Sequence, residues 1–279
     1  MILFPNAKIN LGLCVTDRRA DGYHNLRTVM VPVPWCDVLE IVPGRSASTT
    51  LTVTGRGVEC PMEKNLVIKA LRALERRVGD LPPVDIYLEK IIPDGAGLGG
   101  GSADATFALK GFNEVLGIGL DDSALEEIAA GVGADCAFFV ANRPALCTGI
   151  GDKISPIEIL QLQGFSIVIA KPRVAAVSTA EAYAGIVPHM PDESPEAILA
   201  DDIASWRSRL VNDFEASIFV KLPAVEALKQ QFYDLGATYA SMSGSGAAVY
   251  ALFATDNMAH DALTHLRECD AFVGHFDNF

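Results

Sequence analysis

The stretch Pro93-Asp94-Gly95-Ala96-Gly97-Leu98-Gly99-Gly100-Gly101-Ser102-Ala103 constrains this chain more than any other. Five of its eleven residues are glycine, and it joins a strand pattern to a helix pattern. Upstream, Val84, Ile86 and Leu88 alternate with Asp85, Tyr87 and Glu89, the period of a half-buried strand. Downstream, Ala105, Ala108, Leu109, Phe112 and Leu116 form the stripe of an amphipathic helix, and Gly117 suits its C-terminal cap. A loop poor in side chains that opens a helix lets backbone N–H groups close around an anion, and the helix N-terminus adds partial positive charge. The run reads as a phosphate cradle.

Gly95, Gly97 and Gly100 also satisfy G-x-G-x-x-G. A dinucleotide fold would need a second strand after the helix, ending in an acid. Asp121 and Asp122 stand at the right distance but lead into another helix, where Ser123-x-x-Glu126 reads as a capping box. A Walker loop would need Gly-Lys-Ser/Thr, and Gly101-Ser102 follows Gly100 with no lysine.

The 35 acids outweigh 22 bases, a formal charge of −13, which argues against nucleic acid or an anionic membrane as partner. Cys14, Cys36, Cys60, Cys136, Cys147 and Cys269 are scattered without a C-x-x-C pair, as expected of reduced thiols in the cytoplasm. Met1-Ile2-Leu3-Phe4-Pro5 does not read as a signal peptide, and no apolar run approaches the ~20 residues of a membrane span.

The patterning predicts strands near 6–15, 29–42, 50–54 and 84–92, a helix from Val67 to Val78 ending at Gly79, and a helix near 123–131. Gly149 to Pro156 reads as a boundary. Beyond it come a buried strand from Phe165 to Ala170, a proline-rich loop from Pro188 to Pro195, and a helix ending at Gly236. A second glycine/serine loop, Ser241 to Ala247, precedes a strand from Ala248 to Phe253. This order fits α+β architecture in two domains, 1–155 and 156–279, better than one doubly wound sheet.

Three further segments carry side chains capable of chemistry. In Ala7-Lys8-Ile9-Asn10-Leu11-Gly12-Leu13, Lys8 and Asn10 share one strand face, either turned to solvent on an edge strand or serving a polar site. Asp21-Gly22-Tyr23-His24-Asn25-Leu26 is a turn whose aromatic could stack on a planar base while the histidine bonds its edge. Asp135 is the one charge in Gly131-Val132-Gly133-Ala134-Asp135-Cys136-Ala137-Phe138-Phe139-Val140, as a helix N-cap, a buried functional acid, or both.

Together with Asn212-Asp213-Phe214-Glu215 and Ser243-Gly244-Ser245-Gly246, these segments identify a resemblance. Over nearly its whole length the chain resembles the GHMP small-molecule kinases, and within them the branch whose acceptor alcohol carries a cytidyl diphosphate. The resemblance implies a two-domain α+β fold with the active-site cleft between an N-terminal domain and a ferredoxin-like C-terminal one. It implies transfer of the γ-phosphoryl of ATP, with Mg²⁺, to the tertiary 2-hydroxyl of 4-diphosphocytidyl-2-C-methyl-D-erythritol. That is a step toward isoprenoid precursors outside the mevalonate route. A monomer or a homodimer is expected.

Carried over residue by residue, Asp135 matches the general base and Lys8 the cation beside it. Pro93, Gly95, Ala96, Gly97, Leu98, Gly99, Gly100, Gly101, Ser102 and Ala103 match the phosphate loop, with Mg²⁺ near Ser102 and no protein ligand set for the metal. Asn65, Leu66 and Lys90 match the adenine side. Gly244 and Ser245 match the residues that close over the phosphates. Tyr23 and Tyr183, four residues after Thr179, match the rings that clamp cytosine; His24 would read the base edge and Asn10 the methylerythritol end. Lys8, Lys90 and the helix starting near Ser102 are expected to make the site locally positive.

Ala103-Asp104 stands where many relatives have Ser-Asn, and a carboxylate facing the phosphates would repel them; Asp104 is therefore expected to point outward or to cap the helix. Cys136-Ala137-Phe138 replaces the Val-Pro-Phe that often follows the base. Three other readings compete: a sibling kinase acting on mevalonate, homoserine or a sugar, a dinucleotide-dependent oxidoreductase, and a relative that binds ATP without consuming it. The first has no planar base for Tyr23, His24 and Tyr183 to hold.

Overall fold

The computed structural model describes residues 1–56 and 60–276. Among these, twelve strands and nine α-helices alternate irregularly, an α+β arrangement as the sequence predicts. The chain packs into two compact units, each drawn from several stretches. One comprises Met1–Ala7, Trp35–Asp94 and Gly99–Arg143; the other comprises Lys8–Pro34, Gly95–Leu98 and Pro144–Phe279. The sequence-derived division at 155/156 is a single cut, whereas the glycine-rich run itself passes from one unit into the other at Leu98–Gly99.

In chain order the strands are β1 (Ile2–Leu3), β2 (Asn6–Arg18), β3 (His24–Cys36), β4 (Val38–Pro43), β5 (Thr50–Gly55), β6 (Val84–Lys90), β7 (Ala145–Gly149), β8 (Lys153–Pro156), β9 (Ser166–Pro172), β10 (Tyr239–Met242), β11 (Val249–Phe253) and β12 (Cys269–His275). The helices are α1 (Leu66–Val78), α2 (Gly100–Val115), α3 (Asp122–Ala130), α4 (Phe138–Ala141), α5 (Thr179–Ala184), α6 (Pro195–Leu199), α7 (Glu215–Lys221), α8 (Pro223–Asp234) and α9 (Asp256–Thr264). No helix among the described residues is long and apolar enough to cross a membrane.

The first unit is built on a sheet of order β1-β4-β6-β5, in which β6 runs antiparallel to β4 and parallel to β5. Its alternation buries Val84, Ile86 and Leu88 and exposes Tyr87. That apolar face joins Leu39 and Ile41 of β4 under two helices: Val67, Ala70, Leu71 and Leu74 from α1, and Ala105, Ala108, Leu109 and Phe112 from α2. Helix α1 starts where the Asn65 side chain accepts from the Val67 N–H, and ends at Gly79. Burying the valine, leucine and phenylalanine side chains among these contributes about 1.5–3 kcal/mol each, so the two helices are held by packing more than by propensity.

The second unit carries an antiparallel sheet of order β10-β11-β9-β12 and a sheet of order β2-β3-β7-β8. Val168 and Ala170 of β9 and Val249, Ala251 and Phe253 of β11 share a core with Leu13 and Val15 of β2 and with Val225, Leu228 and Phe232 of α8.

Three local expectations need correction. The strand expected over 29–42 is two strands separated at Asp37, whose side chain is drawn into bonds with residues 90–92. Helix α3 is capped by Asp121, which accepts from the Ala124 N–H, rather than by a Ser123–Glu126 box; the earlier carboxylate captures the free amide first. The loop expected through Pro195 ends in α6, because proline at the first helical position gives up no hydrogen bond.

Candidate active site

In the second unit the site grows from β2. Ile9 and Leu11 are fully buried, yet Lys8 is only 3% exposed and Asn10 1% exposed. The solvent-facing reading of Lys8 is thereby corrected: β2 ends its sheet, but both of its faces are covered, and the polar face is a buried hydrogen-bonded row. Lys8 Nζ donates to Asn10 Oδ1 at 2.6 Å and to the Gly97 carbonyl at 3.0 Å. Asn10 Nδ2 donates to Thr28 Oγ1 at 3.0 Å, and Thr28 donates to the Gly12 carbonyl. Tyr250 Oη donates to the Asn10 carbonyl at 2.8 Å. A buried ammonium is tolerable only when bonded in this way.

The first half of the glycine-rich run is stitched to the second glycine/serine loop. Ser243 Oγ donates to the Gly97 carbonyl at 2.9 Å, the Ala248 N–H to the Ala96 carbonyl at 3.1 Å, and the Ala247 N–H to the Gly95 carbonyl at 3.3 Å. Gly97 has φ +72°, and a Cβ there would drive into the Ser243 carbonyl oxygen, so no other residue fits. Gly244 is also too close for a side chain: a Cβ would lie 2.8 Å from the Gly97 oxygen and 3.3 Å from Lys8 Nζ.

The Asn212-Asp213-Phe214-Glu215 motif, to which sequence reasoning gave no role, holds this second loop. Asn212 Nδ2 donates to the Met242 and Gly244 carbonyls, both at 2.8 Å, while Glu215 Oε1 accepts from the Met242 N–H at 2.8 Å and from Ser241 Oγ at 3.1 Å. Lys229 balances Glu215 at 2.7 Å. The signal was two buried polar residues flanking an aromatic, which periodicity alone does not explain.

On the same unit the aromatic residues gather. His24 stacks on Tyr183 with centroids 5.2 Å apart and planes 22° apart, and Tyr183 meets Phe214 edge-on at 4.9 Å. Tyr23 is 63% exposed on a turn pinned by Asp21, which accepts from its N–H at 3.1 Å. Thr179 opens α5, and its Oγ1 lies 3.5 Å from Ser245 Oγ.

In the first unit, Gly99 caps α2 in the left-handed conformation, and Gly100, Gly101 and Ser102 form its first turn. Thr106 Oγ1 donates to the Cys136 carbonyl at 2.8 Å, tying α2 to the turn that bears Asp135. Asp135 is half-buried and is not the cap of α4, whose N-cap is Ala137, so the cap reading is corrected. Burial pushes the neighbouring Cys136 thiol up to about 11, with the Asp135 charge adding to the rise. Asn65 caps α1 and Leu66 is its first residue, next to Gly101.

Asp104 corrects the expectation most sharply. It neither points outward nor caps the helix; it is 3% exposed and accepts from Lys90 Nζ at 2.6 Å. Lys90 also pairs with the fully buried Asp37. Its charge is matched by two carboxylates, so Lys90 adds no net positive field at the loop. Burial pushes the Asp104 carboxyl up, to about 7, against the pull of Lys90. Burial alone would lower the Lys90 pKa, but the two carboxylates outweigh it and hold it above the usual lysine value.

The comparisons with known proteins fit this geometry. Residues 65–143 match the GHMP kinases N terminal domain, and residues 196–270 match the GHMP kinases C terminal domain. The 4-diphosphocytidyl-2-C-methyl-D-erythritol kinase of Parabacteroides distasonis is 48% identical over 98% of this chain and 96% of its own. The chain belongs to the GHMP kinase family. The Bacteroides fragilis kinase of the same name is 49% identical over 92% of this chain and 93% of its own. Among solved structures, a 4-(cytidine 5'-diphospho)-2C-methyl-D-erythritol kinase superposes with a TM-score of 0.83 at 31% identity, covering 98% of each chain. A homoserine kinase from Cytophaga hutchinsonii shares the fold alone, with a TM-score of 0.69 at 18% identity over 96% and 93%. A kinase of this family draws its phosphoryl group from ATP.

Proposed function

We propose that this GHMP kinase transfers the γ-phosphoryl of ATP to the 2-hydroxyl of 4-diphosphocytidyl-2-C-methyl-D-erythritol, giving the 2-phosphate and ADP in isoprenoid precursor synthesis. The observation that carries the reading is near-full-length identity of 48% to a kinase named for that alcohol. It is supported by the aromatic surface of the His24–Tyr183 stack, of the kind that suits a pyrimidine, with Tyr23 beside His24 in the chain.

The fit to a nucleotide's phosphates rests on the loop itself: the turn Gly99-Gly100-Gly101 starts a sixteen-residue helix whose first amides have no intrahelical partner. In this reading Pro93 to Ala103 hold the triphosphate, Gly244 and Ser245 bear on it through the loop bonded to Gly97, and Asn65 and Leu66 serve the adenine. Among the described residues no group of three or more His, Cys, Asp or Glu forms a ready metal site. Mg²⁺ would therefore be held mainly by the phosphates, with Ser102 the side chain to assist, and would supply charge neutralisation.

An alcohol is a poor nucleophile at neutral pH, and Asp135 would accept its proton. Lys8, fixed by Asn10 and Gly97, would stabilise negative charge on the alkoxide and the transferring group. Little more than position and charge is needed for phosphoryl transfer. Tyr23 and Tyr183 would sandwich cytosine, His24 would bond its edge, Thr179 would line the approach, and Asn10 would face the methylerythritol end. We further place the chain in the cytoplasm, which suits six cysteines that form no disulfide, as a monomer or homodimer, with the family's two domains divided near residue 155.

ADP release measured separately with the diphosphocytidyl alcohol, mevalonate and homoserine tests the substrate. Turnover with the cytidyl alcohol alone is expected; preference for either of the others would replace this reading with a sibling kinase.

A further inference from the structure

The buried cluster of Asp37, Lys90 and Asp104 has a geometry that the phosphoryl transfer just described does not use. Asp37 occupies the break between β3 and β4, Lys90 ends β6, and Asp104 lies on α2 one turn into the helix. All three are nine-tenths or more buried. Asp37 Oδ1 accepts from the Ile91 N–H at 2.5 Å and the Ile92 N–H at 2.8 Å, while its other oxygen takes Lys90 Nζ. The same ammonium reaches Asp104 Oδ2 at 2.6 Å. The second oxygen, Asp104 Oδ1, is buried and has no hydrogen-bond partner. A Cβ on Gly100 would lie 3.1 Å from Ile92 Cγ2 and 3.5 Å from Lys90 Nζ, so the first turn of α2 rests directly on this assembly.

One ammonium thus ties the chain entering the glycine-rich run, at Ile91–Ile92, to the helix leaving it. Three ionised groups here sum to one negative charge, beside a loop read as an anion cradle.

We propose that Asp37, Lys90 and Asp104 form a positioning cluster that holds the start and the helical end of the glycine-rich run in register for nucleotide phosphates, with Lys90 acting through the two carboxylates rather than on the nucleotide. The proposal rests on the ATP-dependent kinase reading.

The test is calorimetric binding of a non-hydrolysable ATP analogue with magnesium to wild type, Lys90→Met, Asp104→Asn and the double variant, each with a thermal melt. Lys90→Met leaves two facing carboxylates and is expected to weaken binding about tenfold. Adding Asp104→Asn removes that repulsion and is expected to return affinity to within about threefold of wild type. Asp104→Asn alone, which leaves the Lys90–Asp37 pair in place, is expected to bind within about threefold of wild type. Lys90→Gln, which keeps two donors, replaces the methionine variant if that one does not fold.

Rescue in the double variant supports the proposal. A double variant as weak as Lys90→Met means that relieving the facing carboxylates does not restore the loop, and overturns it. Wild-type affinity at Lys90→Met also overturns it while leaving the kinase reading intact. Absence of analogue binding by the wild type would overturn both.

Discussion

The Lys8 ammonium donates to the Gly97 carbonyl across 3.0 Å, so the cation of the N-terminal strand and the glycine-rich run are one hydrogen-bonded piece. Replacing Lys8 with Met keeps the stem and removes the charge. Turnover at saturating ATP is expected to fall by ~10²–10³-fold, the usual loss when a donor to developing charge is deleted. Asn10 Oδ1 and the Gly97 carbonyl would each lose a buried donor, so urea unfolding should also show a loss of about 1–3 kcal/mol. Unchanged turnover in a folded Lys8→Met protein would remove the lysine from the chemistry.

Asp135→Asn preserves shape and removes the base. Turnover should drop ~10²–10⁴-fold, with ATP-analogue affinity within about twofold of wild type because the change is confined to proton transfer. Steady-state kinetics and calorimetry together check this; a matching loss of nucleotide affinity would assign Asp135 to binding.

Tyr23 is mostly exposed, so Tyr23→Ala should alter stability by no more than about 0.5 kcal/mol. Its KM for the cytidyl alcohol is expected to rise ~10-fold or more, as loss of a stacking partner implies, with the KM for ATP unchanged. Equal rises in both would show that the ring does not discriminate the base.

Thiol chemistry supplies a pH test. Burial pushes Cys14 up to about 12, with Asp213 adding to the rise, and Cys136 up to about 11. A thiol whose pKa is raised on folding contributes its stabilisation fully below the ordinary thiol pKa, here 9.0, and loses it as pH climbs to the folded value. Stability should therefore fall between about pH 9 and 12. At pH 8, iodoacetamide followed by peptide mass mapping should find the half-buried Cys60 modified well before Cys14 or Cys136. Early labelling of Cys136 would show that the turn bearing Asp135 opens readily.

Much of this architecture was legible because patterning reports burial. The β6 alternation, the α1 stripe and the glycine-rich strand-to-helix junction all appear where the sequence placed them. Sequence periodicity carries no record of a side chain that bonds across the fold. Asp37 breaks a strand that reads as continuous, because its oxygens are claimed by residues more than fifty positions away. Asp104 looked like a surface carboxylate until Lys90 supplied its partner. Lys8 could not be assigned to solvent or site from alternation, since β2 is covered on both faces. Asn212 and Glu215 were visible as a motif, but their work, bonding the backbone of residues 242–244, needs the tertiary structure to be seen.

Phosphorus NMR of the reaction with ATP and 4-diphosphocytidyl-2-C-methyl-D-erythritol tests the central claim most directly. A new phosphomonoester resonance on the methylerythritol, growing in step with ADP while the cytidyl diphosphate signals persist, is the predicted result. ADP accumulating with free phosphate and no new ester, or no ADP at all, would contradict it.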